Sequence, residues 1–263
     1  METMAGNGES TEIHDLHGID VAVTRKGAGP PLLLLHGGGG PVAALPFADR
    51  LAERFEIIAP THPGFAGSKI PDRYDGIHDL AFTYLDLMDK IDLRDAVVMG
   101  ISLGGWLAAE LAVMTTARMS KLILVDAVGV KHGGPTDRDI ADVFGLSGPD
   151  LAAIMWHDAS KAPNPAEMTD EQAQIVAADR TALAFYSWEP YMHNPKLAGR
   201  LHRIDRPTLF LWGASDGLVT PDYGRKFAAL VPGAKFTAIA AAGHAPHAEQ
   251  PDAFVAEVLA FTA

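Results

Sequence analysis

The stretch Val97-Val-Met-Gly100-Ile-Ser102-Leu-Gly104-Gly105-Trp106 is an apolar run that ends in G-x-S-x-G and opens at once into the helix-like segment Trp106 to Met114. A buried strand, a sharp turn and a helix in that order hold the serine on a strained turn, while the flanking glycines let neighbouring backbone pass where a Cβ would clash. Ser102 is therefore the candidate nucleophile. Glycine and serine are common, so the pentapeptide alone carries little weight and the reading depends on what surrounds it.

Outward from this stretch, similar short apolar runs recur. Pro31 to His36, Glu56 to Pro60, Ala96 to Ile101, Lys121 to Val125, Thr208 to Trp212 and Lys235 to Ala240 are too short for helices and read as buried strands. Ile13 to Lys26, broken at His17-Gly18-Ile19-Asp20, predicts a hairpin of two more strands. Helix-period segments lie between the runs, at Val42 to Arg54, Gly76 to Ile91, Leu103 to Thr115, Asp222 to Leu230 and Asp252 to Phe261. Strands alternating with helices predict an α/β fold, with a mostly parallel eight-stranded sheet covered by helices on both faces.

One interval breaks the alternation. From Asp126 to Arg206 there is no strand-like run, and helical pieces are predicted at Asp137 to Phe144, Asp150 to His157, Thr169 to Ser187 and Lys196 to Ile204. Thr169 with Gln172 fits a capping box, and Pro190 follows the helix end. The interval is too long for an ordinary connection. It predicts a helical lid over residues 129–205, inserted between core segments 1–128 and 206–263.

With 263 residues, 48% of them hydrophobic, the chain has the material for a large single core. A formal charge of -12 and the absence of a Lys/Arg cluster argue against nucleic acid and anionic membrane surfaces as partners. There is no cysteine, which excludes disulfides, thiolate catalysis and Cys-based zinc sites. The polar, acidic start Met1 to Ser10 lacks the pattern of a signal peptide, and no apolar run approaches the roughly 20 residues that span a bilayer. The expectation is a cytoplasmic protein acting on a small molecule. A homodimer is compatible with the sequence, though nothing in it locates an interface.

A serine hydroxyl needs an adjacent base, itself oriented by a third group. Asp216 lies just after one buried run and His244 just after the next, so in a parallel sheet both sit on the edge where Ser102 turns. Asp126, at the end of Leu124-Val-Asp126, competes for the role of acid; its alternative role is a hydrogen bond anchoring the insertion. Asp216 is preferred, and with Ser102 and His244 it gives the chain order serine, acid, histidine expected of the α/β-hydrolase arrangement.

From Ile13 to the C-terminus the chain resembles the α/β-hydrolase superfamily, through His36-Gly-Gly, His62-Pro-Gly-Phe-Ala-Gly-Ser68, the elbow at Ser102, Asp216 and Gly243-His244. The resemblance implies a catalytic triad of Ser102, Asp216 and His244. The motif makes the Leu103 N–H one oxyanion donor, and likeness to H-G-x families makes Gly38 the other, with Gly39 as a substitute. Within this pattern His36 and Ser68 are structural residues of their loops, and His247 is a surface or supporting residue. The large side chains of the interval suggest an apolar pocket with polar tips. Trp156, His157, Tyr186, Trp188 and Tyr191 are its candidate substrate-binding residues, and His193 could add a further tip.

The implied activity is that of a serine hydrolase, a carboxylesterase in the first instance, with no metal or organic cofactor. The glycine-rich loop after His36 also resembles that of hydrolases that split meta-cleavage products of aromatic rings. Those carry Trp after the catalytic His and Asn before the serine, where this sequence has Ala245 and Ile101. Carbon-carbon hydrolysis therefore ranks second, beside lactonase and acyltransferase chemistry. Dehalogenases and epoxide hydrolases of the fold use an aspartate where Ser102 stands. A ligand receptor retaining the triad is the alternative from a different class.

Overall fold

The computed structural model describes residues 9–41, 45–134 and 136–263. Among them, eight strands form one sheet: β1 (Ser10–Asp15), β2 (Asp20–Lys26), β3 (Pro31–Leu35), β4 (Glu56–Pro60), β5 (Ala96–Ile101), β6 (Met119–Val125), β7 (Thr208–Gly213) and β8 (Lys235–Ile239). Their order across the sheet is β1-β2-β4-β3-β5-β6-β7-β8. β1 and β2 pair antiparallel, β2 joins β4 antiparallel, and every pairing from β4 to β8 is parallel.

Successive side chains of a strand point to opposite faces, and here both faces are covered, so the central strands are apolar throughout. Leu33, Leu35, Val98, Leu122, Leu124, Phe210 and Trp212 enter one core, beneath α2 (Ile77–Lys90), α3 (Leu103–Met114) and α6 (Pro221–Ala228). Their neighbours Leu32, Leu34, Val97, Met99, Ile123, Val125, Leu209 and Leu211 enter the other, beneath α1 (Pro46–Ala52) and α8 (Pro251–Thr262). The helix expected over 42–54 is thus observed over Pro46–Ala52, and residues 42–44 lie outside the described ones.

Between β6 and β7 the chain adds α4 (Gly148–Met155) and α5 (Asp170–Ser187), with 3-10 turns at Ala159–Lys161, Pro165–Glu167 and Ala198–Arg203. The capping box forms as expected: Thr169 Oγ1 accepts the Gln172 N–H and Gln172 Oε1 accepts the Thr169 N–H. Two expectations fail. Residues 137–144 are not a helix, because three aspartates take up nearby backbone N–H groups: Asp137 from Gly134, Asp139 from His132 and Gly133, and Asp142 from Phe144 and Gly145. Such local bonds stabilise turns in competition with helix. Residues 196–204 form only the 3-10 turn. The short helix α7 (Pro246–Glu249), just after His244, was not anticipated.

Candidate active site

The parallel strands deliver their carboxyl ends to one edge, and the site is built there. β5 stops at Ile101, and Ser102 takes the left-handed φ of 53° with ψ -111° before α3 begins. Its N–H donates to the Val125 carbonyl at 2.8 Å and its carbonyl accepts from Trp106 at 3.1 Å, so neighbouring elements hold both ends of the turn. The turn is this tight because the flanking residues lack side chains. A Cβ on Gly100 would stand 2.1 Å from the Gly104 carbonyl oxygen, and one on Gly104 would stand 2.2 Å from that of Leu35.

Asp216 occupies the turn after β7 and His244 the loop after β8; they are 3% and 6% exposed. Asp216 Oδ1 accepts the N–H groups of Leu218 and Val219, both at 2.9 Å, and Oδ2 lies 2.7 Å from His244 Nδ1. An ionised carboxylate only accepts, so Nδ1 carries the proton and leaves Nε2 as an acceptor. His244 Nε2 lies 3.0 Å from Ser102 Oγ. The structure therefore brings Ser102, His244 and Asp216 into one hydrogen-bonded line, 142 and 28 residues apart in sequence.

The glycine loop after β3 comes up beside this line. A Cβ on Gly37 would lie 3.2 Å from Ser102 Cβ, which sets the close approach of the loop to the turn. His36 anchors it from below: Nδ1 donates to the Gly37 carbonyl at 2.8 Å and Nε2 accepts the His62 N–H at 2.9 Å. His62 returns a bond from Nε2 to the His36 carbonyl at 2.9 Å, and its Nδ1 accepts from the Tyr84 hydroxyl. Burial keeps both imidazoles neutral, pushing His36 down to about 4 and His62 well below the ordinary histidine value. Ser68 closes the neighbouring loop, accepting the Gly64 N–H and donating to the Phe65 carbonyl. Among the described residues, no hydrogen bond engages the backbone N–H of Gly38 or of Leu103.

The insertion reaches the site through polar atoms that sequence reading missed. The carbonyl of Met155 accepts the His244 N–H at 2.6 Å, and that of Ile154 accepts the Gly217 N–H at 2.9 Å. Glu249, at the end of α7 and 5% exposed, accepts N–H groups from Gly243 at 2.6 Å, His157 at 3.2 Å and Asp158 at 3.1 Å. One carboxylate thus ties the insertion to the loop that carries His244. A Cβ on Gly243 would meet the Met155 carbonyl oxygen at 2.2 Å, so this seam needs glycine. Backbone seams leave no pattern in side-chain chemistry, and an acid five residues after a histidine is an ordinary sequence event.

The candidate substrate residues are placed unevenly. Tyr186 is buried and its hydroxyl donates to the Pro63 carbonyl at 2.9 Å. The Tyr191 hydroxyl accepts from Val143 at 2.9 Å and donates to Ala141 at 2.6 Å. Trp188 is 59% exposed and packs on Phe144, while Trp156 is half-buried at the end of α4. His157 Nδ1 lies 2.8 Å from the Ser215 hydroxyl, next to the Asp216 turn. Two insertion side chains do crowd the glycine loop: a Cβ on Gly38 would stand 2.7 Å from Leu183 Cδ2, and one on Gly40 2.6 Å from Asp179 Oδ2. The two are one turn apart on α5, and the spacing i, i+4 was the signal available for them.

His247 is buried between the rings of Phe47 and Phe254 rather than on the surface, and burial pushes its imidazole down to about 3. Asp126 does not anchor the insertion: its Oδ1 accepts the Gly213 N–H of β7 at 2.8 Å. Asp126, Asp216 and His244 place ligand-type atoms within 4.8 Å of one another. No helix among the described residues is long and apolar enough to cross a membrane.

Comparison with known proteins extends this description. The chain is 26% identical to 2-hydroxymuconate semialdehyde hydrolase of Pseudomonas putida over 274 residues, covering 97% of this chain and 92% of that one. It is 24% identical to 2-hydroxy-6-oxo-6-phenylhexa-2,4-dienoate hydrolase of Comamonas testosteroni, covering 91% and 90%. Among solved structures, a membrane phospholipase A described as a bacterial virulence factor superposes with a TM-score of 0.82 at 24% identity, over 97% of this chain and 86% of that one. The 2-hydroxy-6-oxo-6-phenylhexa-2,4-dienoate hydrolase of a Rhodococcus species gives 0.75 at 21% identity, over 96% and 99%, so the fold is shared along nearly its whole length. The model of the alpha/beta hydrolase family matches residues 32–257. With that match running from β3 into α8, the chain belongs to the alpha/beta hydrolase family.

Proposed function

We propose that the protein is a serine hydrolase that cleaves an ester of a small apolar carboxylic acid through an acyl-enzyme. The observation that carries this reading is the line Ser102 Oγ to His244 Nε2, 3.0 Å, and His244 Nδ1 to Asp216 Oδ2, 2.7 Å. In this mechanism Ser102 Oγ forms a bond to the carbonyl carbon as its proton passes to His244 Nε2. The imidazolium, held by Asp216, returns that proton to the leaving alkoxide as the tetrahedral intermediate collapses. Water then repeats the sequence on the acyl-enzyme and regenerates Ser102. The backbone N–H groups of Gly38 and Leu103 bind the oxyanion, and loss of one such donor costs about 2.7 to 4 kcal/mol of transition-state stabilisation.

The insertion acts as the lid of this site, with Leu183 as an apolar wall over Gly38. Substrate contacts by Trp156 and His157 fit best at the end of the insertion that borders the Asp216 and His244 loops. No cofactor enters the mechanism. A second reading, hydrolysis of a carbon-carbon bond in a vinylogous diketone acid, is favoured by the likeness to two hydrolases, of Pseudomonas putida and Comamonas testosteroni, that match this chain over most of both lengths.

Initial rates on a panel of p-nitrophenyl acyl esters and on such a diketone acid, for wild type and Ser102→Ala, test the proposal. Ester turnover that disappears in the variant is the expected result. Turnover of the diketone alone would establish the second reading, and Ser102-independent rates on both would overturn the serine mechanism.

A further inference from the structure

Asp126 stands beside the triad and takes no part in the mechanism above. It follows β6 directly, with a left-handed φ of 42°, and is fully buried. Its backbone N–H donates to the Leu211 carbonyl at 3.1 Å, and its Oδ1 accepts the Gly213 N–H. Its Oδ2 is buried and has no hydrogen-bond partner of the ordinary kind among the described residues. The carboxyl group stands against the triad, since Asp126, Asp216 and His244 each bring a ligand-type atom within 4.8 Å of the others.

Two carboxylates this close and this deeply buried do not both ionise. Asp216 accepts three N–H donors, from Leu218, Val219 and His244, whereas Asp126 accepts one. The negative charge therefore rests on Asp216 and the shared site's proton on Asp126. Burial first, and then the charge of Asp216, push the Asp126 carboxyl well above the ordinary carboxylate range. The other charged or titratable groups facing it are His244 and, from α7, Glu249; no lysine or arginine of the described residues lies within ion-pair distance.

We propose that Asp126 is a positioning residue for the triad, a neutral carboxylic acid whose Oδ2–H donates to the Asp216 carboxylate and fixes the oxygen that orients His244. This gives the otherwise unpaired Oδ2 its partner and gives Asp216 a fourth donor. The proton stays on Asp126 throughout turnover. The inference rests on the hydrolase reading only for its effect on rate, because the protonation state exists in the resting protein.

The experiment uses Asp126→Asn and Asp126→Ala in the full chain. The asparagine amide can donate to Asp216 and accept from Gly213 without adding charge, so it mimics the neutral acid; alanine removes the donor. Infrared difference spectra of wild type against Asp126→Asn at neutral pH should show a protonated-carboxyl C=O band in wild type only. The downfield proton resonance of His244 Nδ1–H should titrate in Asp126→Asn as in wild type. In Asp126→Ala it should titrate at higher pH, because the carboxylate of Asp216, no longer sharing its charge with a donor, holds the imidazolium more strongly. If the ester reaction is found, alanine should lower kcat about tenfold with little change in KM, the worth of one hydrogen bond to a charged group. Absence of the infrared band in wild type, or a shift of the His244 titration to lower pH in Asp126→Asn, would overturn the proposal, since that shift marks removal of a negative charge. Both spectroscopic results hold whether or not any ester is turned over.

Discussion

The sheet and the insertion are held together by different physics. In β3, β5, β6 and β7 almost every side chain is buried in one of two apolar cores, and Ser102 inherits its position from that packing. In the insertion, α4 buries no residue, and α5 buries only Asp179, Ala182, Tyr186 and Ser187. Yet the backbone of the insertion touches the loops of both His244 and Asp216, through the carbonyls of Met155 and Ile154 and through Glu249. Ser102 thus depends on apolar burial, which tolerates little change of volume. His244 and Asp216 depend in addition on a polar seam, which tolerates change of side chain on the insertion but not loss of its buried acceptors.

The sharpest break in this comparison comes from the core side. Gly104→Ala places a Cβ 2.2 Å from the Leu35 carbonyl, where only backbone could move. Loss of soluble protein, or destabilisation beyond about 4 kcal/mol in denaturant unfolding, is expected. A Gly104→Ala protein that melts with wild type would show that the turn is not constrained as described.

On the seam, Glu249→Ala leaves the N–H groups of Gly243, His157 and Asp158 without their acceptor. The expected outcome is a loss of roughly 3 kcal/mol in stability, together with at least about a tenfold fall in kcat on the best ester. Loss of stability with an unchanged kcat would mean that the seam holds the insertion without positioning His244.

The next effect separates burial from pairing through pH. Native His36 and His247 remain neutral down to about 4 and about 3, whereas the unfolded chain takes up protons near the ordinary histidine value of 6.5. Below pH 6.5 the unfolded state therefore binds more protons, and each histidine removes up to ~1.4 kcal/mol of stability per pH unit as pH falls. His247→Leu should flatten the stability profile relative to wild type between pH 6.5 and about 4. A variant with the same pH slope as wild type would place His247 outside the buried cluster of Phe47 and Phe254. The smallest effect belongs to the outer face of α5, where Val176→Lys, at a residue 49% exposed, should change stability by less than about 0.5 kcal/mol and leave ester turnover unaltered.

The same division decides what could be read from the sequence. Strands buried on both faces announce themselves as short apolar runs, and Ser102, Asp216 and His244 all follow such runs, so the sheet edge and its residues were legible. The preference for Asp216 over Asp126 was legible without excluding Asp126, because both end strands; the bond of His244 Nδ1 to Asp216 distinguishes them. The non-helical path of residues 137–144 was hidden because Asp137, Asp139 and Asp142 act through backbone N–H groups that no periodicity records. Tyr186 and Tyr191 read as pocket tips for the related reason that their hydroxyls bond to backbone carbonyls distant in sequence. What was legible is patterned burial, and what was not is a set of side-chain-to-backbone bonds closed only by the fold.

The central claim, that Ser102 is a nucleophile activated by His244, is tested most directly by incubating the wild-type protein with a fluorophosphonate and locating the adduct by peptide mass spectrometry. The account predicts one phosphonyl group on Ser102, with labelling abolished in Ser102→Ala and strongly slowed in His244→Ala. An adduct on another residue, or labelling of Ser102 at the same rate without His244, would contradict it.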